Sequence, residues 1–285
     1  MDKFTIKSFN EKYPHDAACL DEIFSNRYGS LKQCPACDKT TKFHRVANRK
    51  CYACQFCGYQ LHPLADTIFH KSETSLKSWF YAIFLFANSK NGVSAKELER
   101  QLGVTYKTAW RMAKQIRLLL NQSNRKLSET VEVDETYVGG VRPGKRGRGA
   151  EGKTAVVGMV QRRGQVIAKV VSDTKSSTIR PIVREHVELG AQVMTDDFGG
   201  YRHIGEDFKH RAINHSTGRY ANGLIHTNTI EGFWSQLKRS INGTYHAVSP
   251  KYLQLYVDEF SYRYSHRDEP TSLFFPMVAK AAKPF

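Results

Sequence analysis

Three rhythms of apolar and polar residues run along the chain. From about residue 74 to 122, "LKSWFYAIFLFANSKNGVSAKELERQLGVTYKTAWRMAKQIRLLL" predicts an apolar helix and then two further helices. Ser94 can cap "AKELERQLG", Gly103 can supply a turn, and Thr105 can cap "YKTAWRMAKQIRLLL". A short helix, a glycine turn and a longer basic helix have helix-turn-helix spacing, with Tyr106, Lys107 and Arg111 near the start of the second helix. Near residue 130 the period changes to two. "SETVEVDETYVGG" puts Val131 and Val133 on one face of a strand and Glu132, Asp134 and Thr136 on the other, so Glu135 points away from Asp134. "KTAVVGMVQRRGQVIAKVVSD" predicts two more strands, joined at Arg163-Gly164. A helix in "SSTIRPIVREHVEL", a strand in "AQVMTDD" and a short strand in "KHRAINHS" follow. The third rhythm is helical again. In "HTNTIEGFWSQLKRSI", residues 226 to 241, Ile230, Phe233, Trp234, Leu237 and Ile241 form an apolar stripe. Glu231 and Lys238 stand seven apart on its border, flanked by Asn228 and Ser235. Leu253, Tyr256, Val257, Phe260 and Tyr264 make a last helical stripe that reads as core.

This pattern divides the chain into an N-terminal segment (1–29), a cysteine-rich module (30–70), a helical region (71–125), an α/β domain (126–270) and a C-terminal tail (271–285). The polar stretch "NQSNRKLSE" serves as the linker before the α/β domain. Three antiparallel strands, a crossover helix, a further strand and more helices are the order of an RNase H-like α/β core. Between its first two strands "VRPGKRGRGAEGK" is rich in glycine and base, leaving Arg142, Lys145, Arg146, Arg148 and Lys153 available to phosphates.

Charge and cysteine usage narrow the chemistry. A net charge of +16 points to a polyanionic partner, nucleic acid before membrane. The longest apolar run, around Trp79 to Ala87, is far short of a bilayer span, and the opening residues lack a signal-peptide stretch. The chain is therefore read as cytoplasmic, where clustered cysteines serve as metal ligands rather than disulfides. "CPAC" (Cys34, Cys37) and "CQFCG" (Cys54, Cys57) fit a tetrahedral four-cysteine zinc site. Cys51 is a third candidate in the second cluster; Gly58 favours the 54/57 pair, because a tight knuckle wants glycine there. Cys51 and Cys19 are then small packed hydrophobes, with His44 and His62 as substitute ligands.

On the RNase H-like order, Asp134 on the first strand, Asp196 at the end of the fourth and Glu231 on the later helix converge on one edge. "VDETYVGG", "KTAVVG", "TDDFGGY" and "HTNTIEGFWSQLKR" resemble the motifs of DDE transposases from bacterial insertion sequences. More narrowly, the chain resembles the branch with a zinc ribbon and helix-turn-helix before an RNase H-like core, from about Cys34 to Arg267. The resemblance implies metal-dependent cleavage of element ends and strand transfer, with Asp134, Asp196 and Glu231 on Mg²⁺ or Mn²⁺ and Lys238 on a DNA phosphate. Asp197 is the alternative to Asp196, and Asn228 the alternative to Glu231. It also implies double-stranded DNA partners, the terminal inverted repeats and the target, and a homo-oligomer on paired ends. Lys251, Arg263 and Arg267 are expected on the DNA-facing surface; His226, His246 and His266 read as packed histidines before DNA contacts or caps. Two rival functions share these features: a catalytically silent DNA-binding regulator, and a nuclease without strand transfer.

Overall fold

A computed structural model describes residues 4–121, 126–139, 152–213, 226–269 and 271–284. The chain forms two units, one of residues 1–89, 93–119 and 269–285, the other of residues 90–92 and 120–268. Among the described residues no helix is long and apolar enough to cross a membrane.

In the first unit, helices α1 (Ile6–Lys12) and α2 (Asp16–Tyr28) precede a small antiparallel sheet of β1 (Phe43–Arg45), β2 (Tyr52–Cys54) and β3 (Gln60–Leu61). Helices α3 (Leu76–Asn88), α4 (Ala95–Leu102) and α5 (Tyr106–Leu118) follow. The Asp16 carboxylate accepts the free N–H groups of Leu76 and Lys77, at 3.1 and 2.9 Å, and so caps α3. Ser94 caps α4 by accepting the Glu97 N–H, Gly103 ends it in the left-handed region (φ +64°), and Thr105 caps α5 through the Thr108 N–H. Leu98, Ala109, Met112, Ala113 and Ile116 are buried on these two helices, while Tyr106, Lys107 and Arg111 are exposed.

The second unit is built on a mixed sheet of β4 (Thr130–Val138), β5 (Thr154–Gln161), β6 (Val166–Val171), β7 (Gln192–Asp196) and β8 (Lys209–Ile213). Their order is β6-β5-β4-β7-β8, with β4 central. The β4–β5 and β5–β6 pairs are antiparallel hairpin partners, whereas β7 lies parallel to β4 and β8 parallel to β7. A parallel return requires a crossover, which α6 (Ser176–His186) supplies. Period-two alternation gives the sheet two apolar faces. Val131, Val133, Val157, Met159 and Val193 pack with Ile179 and Val183 of α6. Val138, Val156, Val160 and Ala168 pack with α7 (Asn228–Ser240) and α8 (Leu253–Ser265), through Ile230, Phe233, Trp234, Leu237, Val257 and Phe260. The chain then returns to the first unit as α9 (Phe274–Ala281), within the stretch read from sequence as a tail.

Candidate active site

The four cysteines of the ribbon come from two matching knuckles. The Asp38 N–H bonds to the Cys34 carbonyl at 2.9 Å and the Gly58 N–H to the Cys54 carbonyl at 3.0 Å, each closing a turn on a residue of positive φ (55° and 75°). Both turns aim their thiols at one point. Sγ atoms of Cys34 and Cys57 lie 3.6 Å apart and those of Cys37 and Cys54 3.9 Å apart. Tetrahedral zinc, with Zn–S of about 2.3 Å, sets its sulfurs about 3.8 Å from one another, so the four side chains could hold such an ion without rearrangement. The Phe56 N–H and Thr41 hydroxyl lie 3.4 and 3.5 Å from Cys54 Sγ, in the outer hydrogen bonds a thiolate attracts. Cys51 is buried with its thiol directed at Gln60, outside this group.

Asp134 stands in the middle of β4, opposite Gly158 of β5. Its Oδ2 accepts a hydrogen bond of 3.0 Å from the Trp234 indole on α7. A Cβ on residue 158 would lie 2.5 Å from the Trp234 ring and 2.9 Å from Ile230, so glycine is what lets the indole cross β5 to reach the carboxylate. Gly158→Ala should therefore displace α7, lowering stability by about 1–3 kcal/mol and DNA processing with it, which melting curves and activity assays would read.

Asp196 ends β7, the parallel neighbour of β4. The pairing runs to Glu132 beside Met194, two residues short of Asp134 and of Asp196, so both acids stand at the same level, just past the stretch where β4 and β7 pair. Burial, then the charges of Glu135 and Asp196, push the Asp134 carboxyl up to about 7, against the opposing pull of the Trp234 bond. Glu135 faces the other side of the sheet, where its carboxylate accepts the buried Tyr201 hydroxyl. Glu231 sits three residues before Trp234 and Lys238 four after it, one helical turn to either side. Desolvation lowers the Lys238 ammonium, the charge of Asp134 raises it, and Lys153 lowers it further, so Lys238 is within electrostatic reach of both that carboxylate and a second cation. The Glu231 carboxylate accepts the Thr227 hydroxyl at 2.9 Å. Asn228 opens α7 and is exposed, as is Asp197.

Among the described residues, the ribbon cysteines are the group of three or more potential metal ligands whose donor atoms lie within 4.8 Å of one another. Asp134, Asp196 and Glu231 are not drawn that close. Arg142, Lys145, Arg146 and Arg148 lie outside the described residues. Arg263, expected on a DNA-facing surface, is instead 9% exposed and bound to the buried Glu259 at 2.7 Å, because the apolar stripe of α8 carries it inward. His266 is packed, bonded to the Tyr262 carbonyl. Two contributors escape a reading by pattern: Trp234 counts as core by its spacing, and Glu132 as a polar strand position. The signal for Glu132 was its place on the Asp134 face, where a carboxylate buried beneath an apolar helix needs partners.

Residues 126–265, which carry all of these acidic groups, match the family described as the ISXO2-like transposase domain. Over 105 residues the chain is 31% identical to an uncharacterized transposase-like protein of Haemophilus influenzae, covering 36% of this chain and 84% of that one. This chain belongs to the ISXO2-like transposases. It is also 28% identical over 255 residues to an uncharacterized protein in transposable element ISH50 of Halobacterium salinarum, across 81% of this chain and 84% of its relative. Membership in a transposase family implies DNA binding and nucleotidyl-transfer chemistry. In this ISXO2-like transposase the matched region spans the sheet, α6, α7 and α8, and leaves the four-cysteine ribbon outside it.

Proposed function

We propose that this transposase cuts the ends of its element and joins them to target DNA, using an RNase H-like core in which Asp134, Asp196 and Glu231 hold Mg²⁺ or Mn²⁺. The observation that carries the reading is the electrostatic meeting of Asp134 and Asp196 just past the point where the two central strands cease to pair, beneath the polar edge of α7. A carboxyl that burial first, and neighbouring negative charge second, keeps protonated up to near neutrality suits a divalent cation, which replaces that proton and prefers hard oxygen donors. Bound there, a pair of such ions supplies Lewis-acid activation of the attacking oxygen and charge stabilisation of the leaving one.

The chain's own groups have separate tasks. Asp134 and Asp196 present oxygens from rigid strands, and Glu231 closes the site from the helix, with Asn228 one turn away as its alternative. Trp234 occupies one oxygen of Asp134 and so orients the carboxylate. Lys238 and Lys153 meet the phosphate beside the scissile bond and offset charge that develops on it. The zinc ribbon and the α4–α5 pair recognise the terminal inverted repeats, with Tyr106, Lys107 and Arg111 offered to the major groove. Arg142, Lys145, Arg146 and Arg148 add phosphate contacts, and the protein works as a homo-oligomer on paired ends.

Full-length protein incubated with terminal-repeat DNA, a target duplex and Mg²⁺ should yield cleaved ends and joined products on a sequencing gel. Cleavage without joining would identify a nuclease, and binding without cleavage a regulator; either overturns the proposal. Binding should also weaken steeply with salt, with a log–log slope of about −0.9 for each phosphate neutralised. A flat salt response would remove the electrostatic part of the reading.

A further inference from the structure

Glu132 lies two residues from Asp134 on the same face of β4, with 0% of its side chain exposed. An ionised carboxylate so deep demands compensation, and four donors provide it. Oε2 accepts the backbone N–H groups of Thr229 and Ile230 at 2.8 and 3.1 Å, in the first turn of α7. Oε1 accepts the Thr229 hydroxyl at 2.8 Å and the Arg162 Nε–H at 2.7 Å. Arg162 also donates to the His226 carbonyl at 2.9 Å, and its backbone N–H bonds to the Thr130 carbonyl at 3.0 Å. The His226 ring lies 3.2 Å from Oε1. Thr227, which precedes α7, makes no capping bond to the helix backbone with its side chain; the cap comes from a strand nearly a hundred residues earlier.

This arrangement is a two-point attachment. Glu132 and Asp134 are about 6.7 Å apart along the strand, and Ile230 and Trp234 about 6 Å apart along the helix. Glu132 bonds to the first helical point and Asp134 to the second, so β4 and α7 run in the same direction with their spacing matched. Glu231 falls between these points and Lys238 one turn beyond them. Sliding α7 by one residue would break both attachments at once.

We propose that Glu132, held by Arg162, is a positioning residue: it fixes the height of α7 on β4 and so sets the separation between Asp134 and Glu231 on which metal affinity depends. The inference rests on the metal-dependent reading above. Groups that orient metal ligands change affinity by about tenfold to a hundredfold when removed.

Mn²⁺ quenching of tryptophan emission in the full-length protein tests it without requiring turnover. Trp234→Phe identifies the part of the signal that comes from the site, since the other tryptophans, Trp79 and Trp110, lie in the first unit. Glu132→Gln keeps the shape and removes the charge; it should move the Mn²⁺ midpoint about tenfold or more to higher concentration, with cleavage requiring correspondingly more metal. Thr229→Val, which deletes one donor from the helix side, should shift the midpoint the same way by less, and serves if Glu132→Gln does not fold. An unchanged midpoint in whichever variant folds overturns the positioning role, even if its melting temperature falls. A wild-type protein whose emission ignores Mn²⁺ and which cuts no DNA overturns the metal reading itself, and this inference with it.

Discussion

Replacing Asp134 by asparagine should abolish metal-dependent DNA cleavage and yet make the metal-free protein more stable at pH 8. Both effects come from the same cause. Burial and the neighbouring charges of Glu135 and Asp196 hold the Asp134 carboxyl at about 7 in the fold, against 3.8 in an unconstrained chain. A carboxyl whose pKa rises on folding favours the fold while protonated, so stability is fullest below pH 4. It falls as pH climbs from about 4 to 7, and the deficit is constant above that. Asparagine has no proton to lose and can still accept the Trp234 bond through its amide oxygen. The variant should match the wild type at pH 4 and exceed it at pH 8 by roughly 4 kcal/mol, a melting-temperature gain of roughly 8–16 °C. Cleavage should fall by about a thousandfold or more, since a lost metal ligand removes several kcal/mol of transition-state stabilisation. Differential scanning fluorimetry in chelator at both pH values, beside a gel assay in Mg²⁺, checks the two halves together. A variant that cuts at wild-type rate, or that melts lower at pH 8, would contradict the assignment.

Removing metal from the ribbon should unfold it outright. Strands β1 to β3 comprise three, three and two residues, far too little apolar surface to hold a sheet by burial alone. Structural zinc contributes about 10–16 kcal/mol to such modules near pH 7. Treatment with a strong chelator under reducing conditions should expose the segment from Cys34 to Leu61 to proteases, and readded Zn²⁺, but not Mg²⁺, should restore its protection. Helices α3 and α5 should remain protected throughout, because Trp79, Phe80, Ile83, Met112 and Ile116 form a core that needs no metal. Metal analysis should find one zinc per chain, and Cys34→Ser should reproduce the chelated state. A ribbon that resists proteolysis without metal would refute the role given to the four thiols.

What the sequence disclosed follows from the range of the forces involved. The cysteine knuckles were legible because the geometry that aims two thiols at one point is imposed within four residues, and the cysteine spacing records it. The capped helices α4 and α5 were legible for the same reason: Ser94, Gly103 and Thr105 act on their own turns. Strand β4 and helix α7 announced their faces by period. Their relation did not show, because the bonds from Asp134 to Trp234 and from Glu132 to Thr229 join residues about a hundred positions apart. Trp234 also does two things at once: its ring fills the core while its N–H reaches the carboxylate, and hydrophobic spacing registers only the first. Helix α9 has eight residues with Pro276 in its first turn, too short a period to stand out from a tail.

That last helix has a consequence for biosynthesis. Phe274 rests against Phe4, Phe9, Tyr13, Phe80 and Phe84, all from the opening third of the polypeptide. A ribosome must therefore translate the whole mixed sheet before the aromatic cluster started at Phe4 can be completed. Messages truncated after Asp268 would encode every acidic residue of the matched transposase domain and still release a product with a gap among its N-terminal rings, one prone to clumping or degradation. Such shortened copies should accumulate poorly in cells, leaving little of them to compete with intact protein for the same DNA.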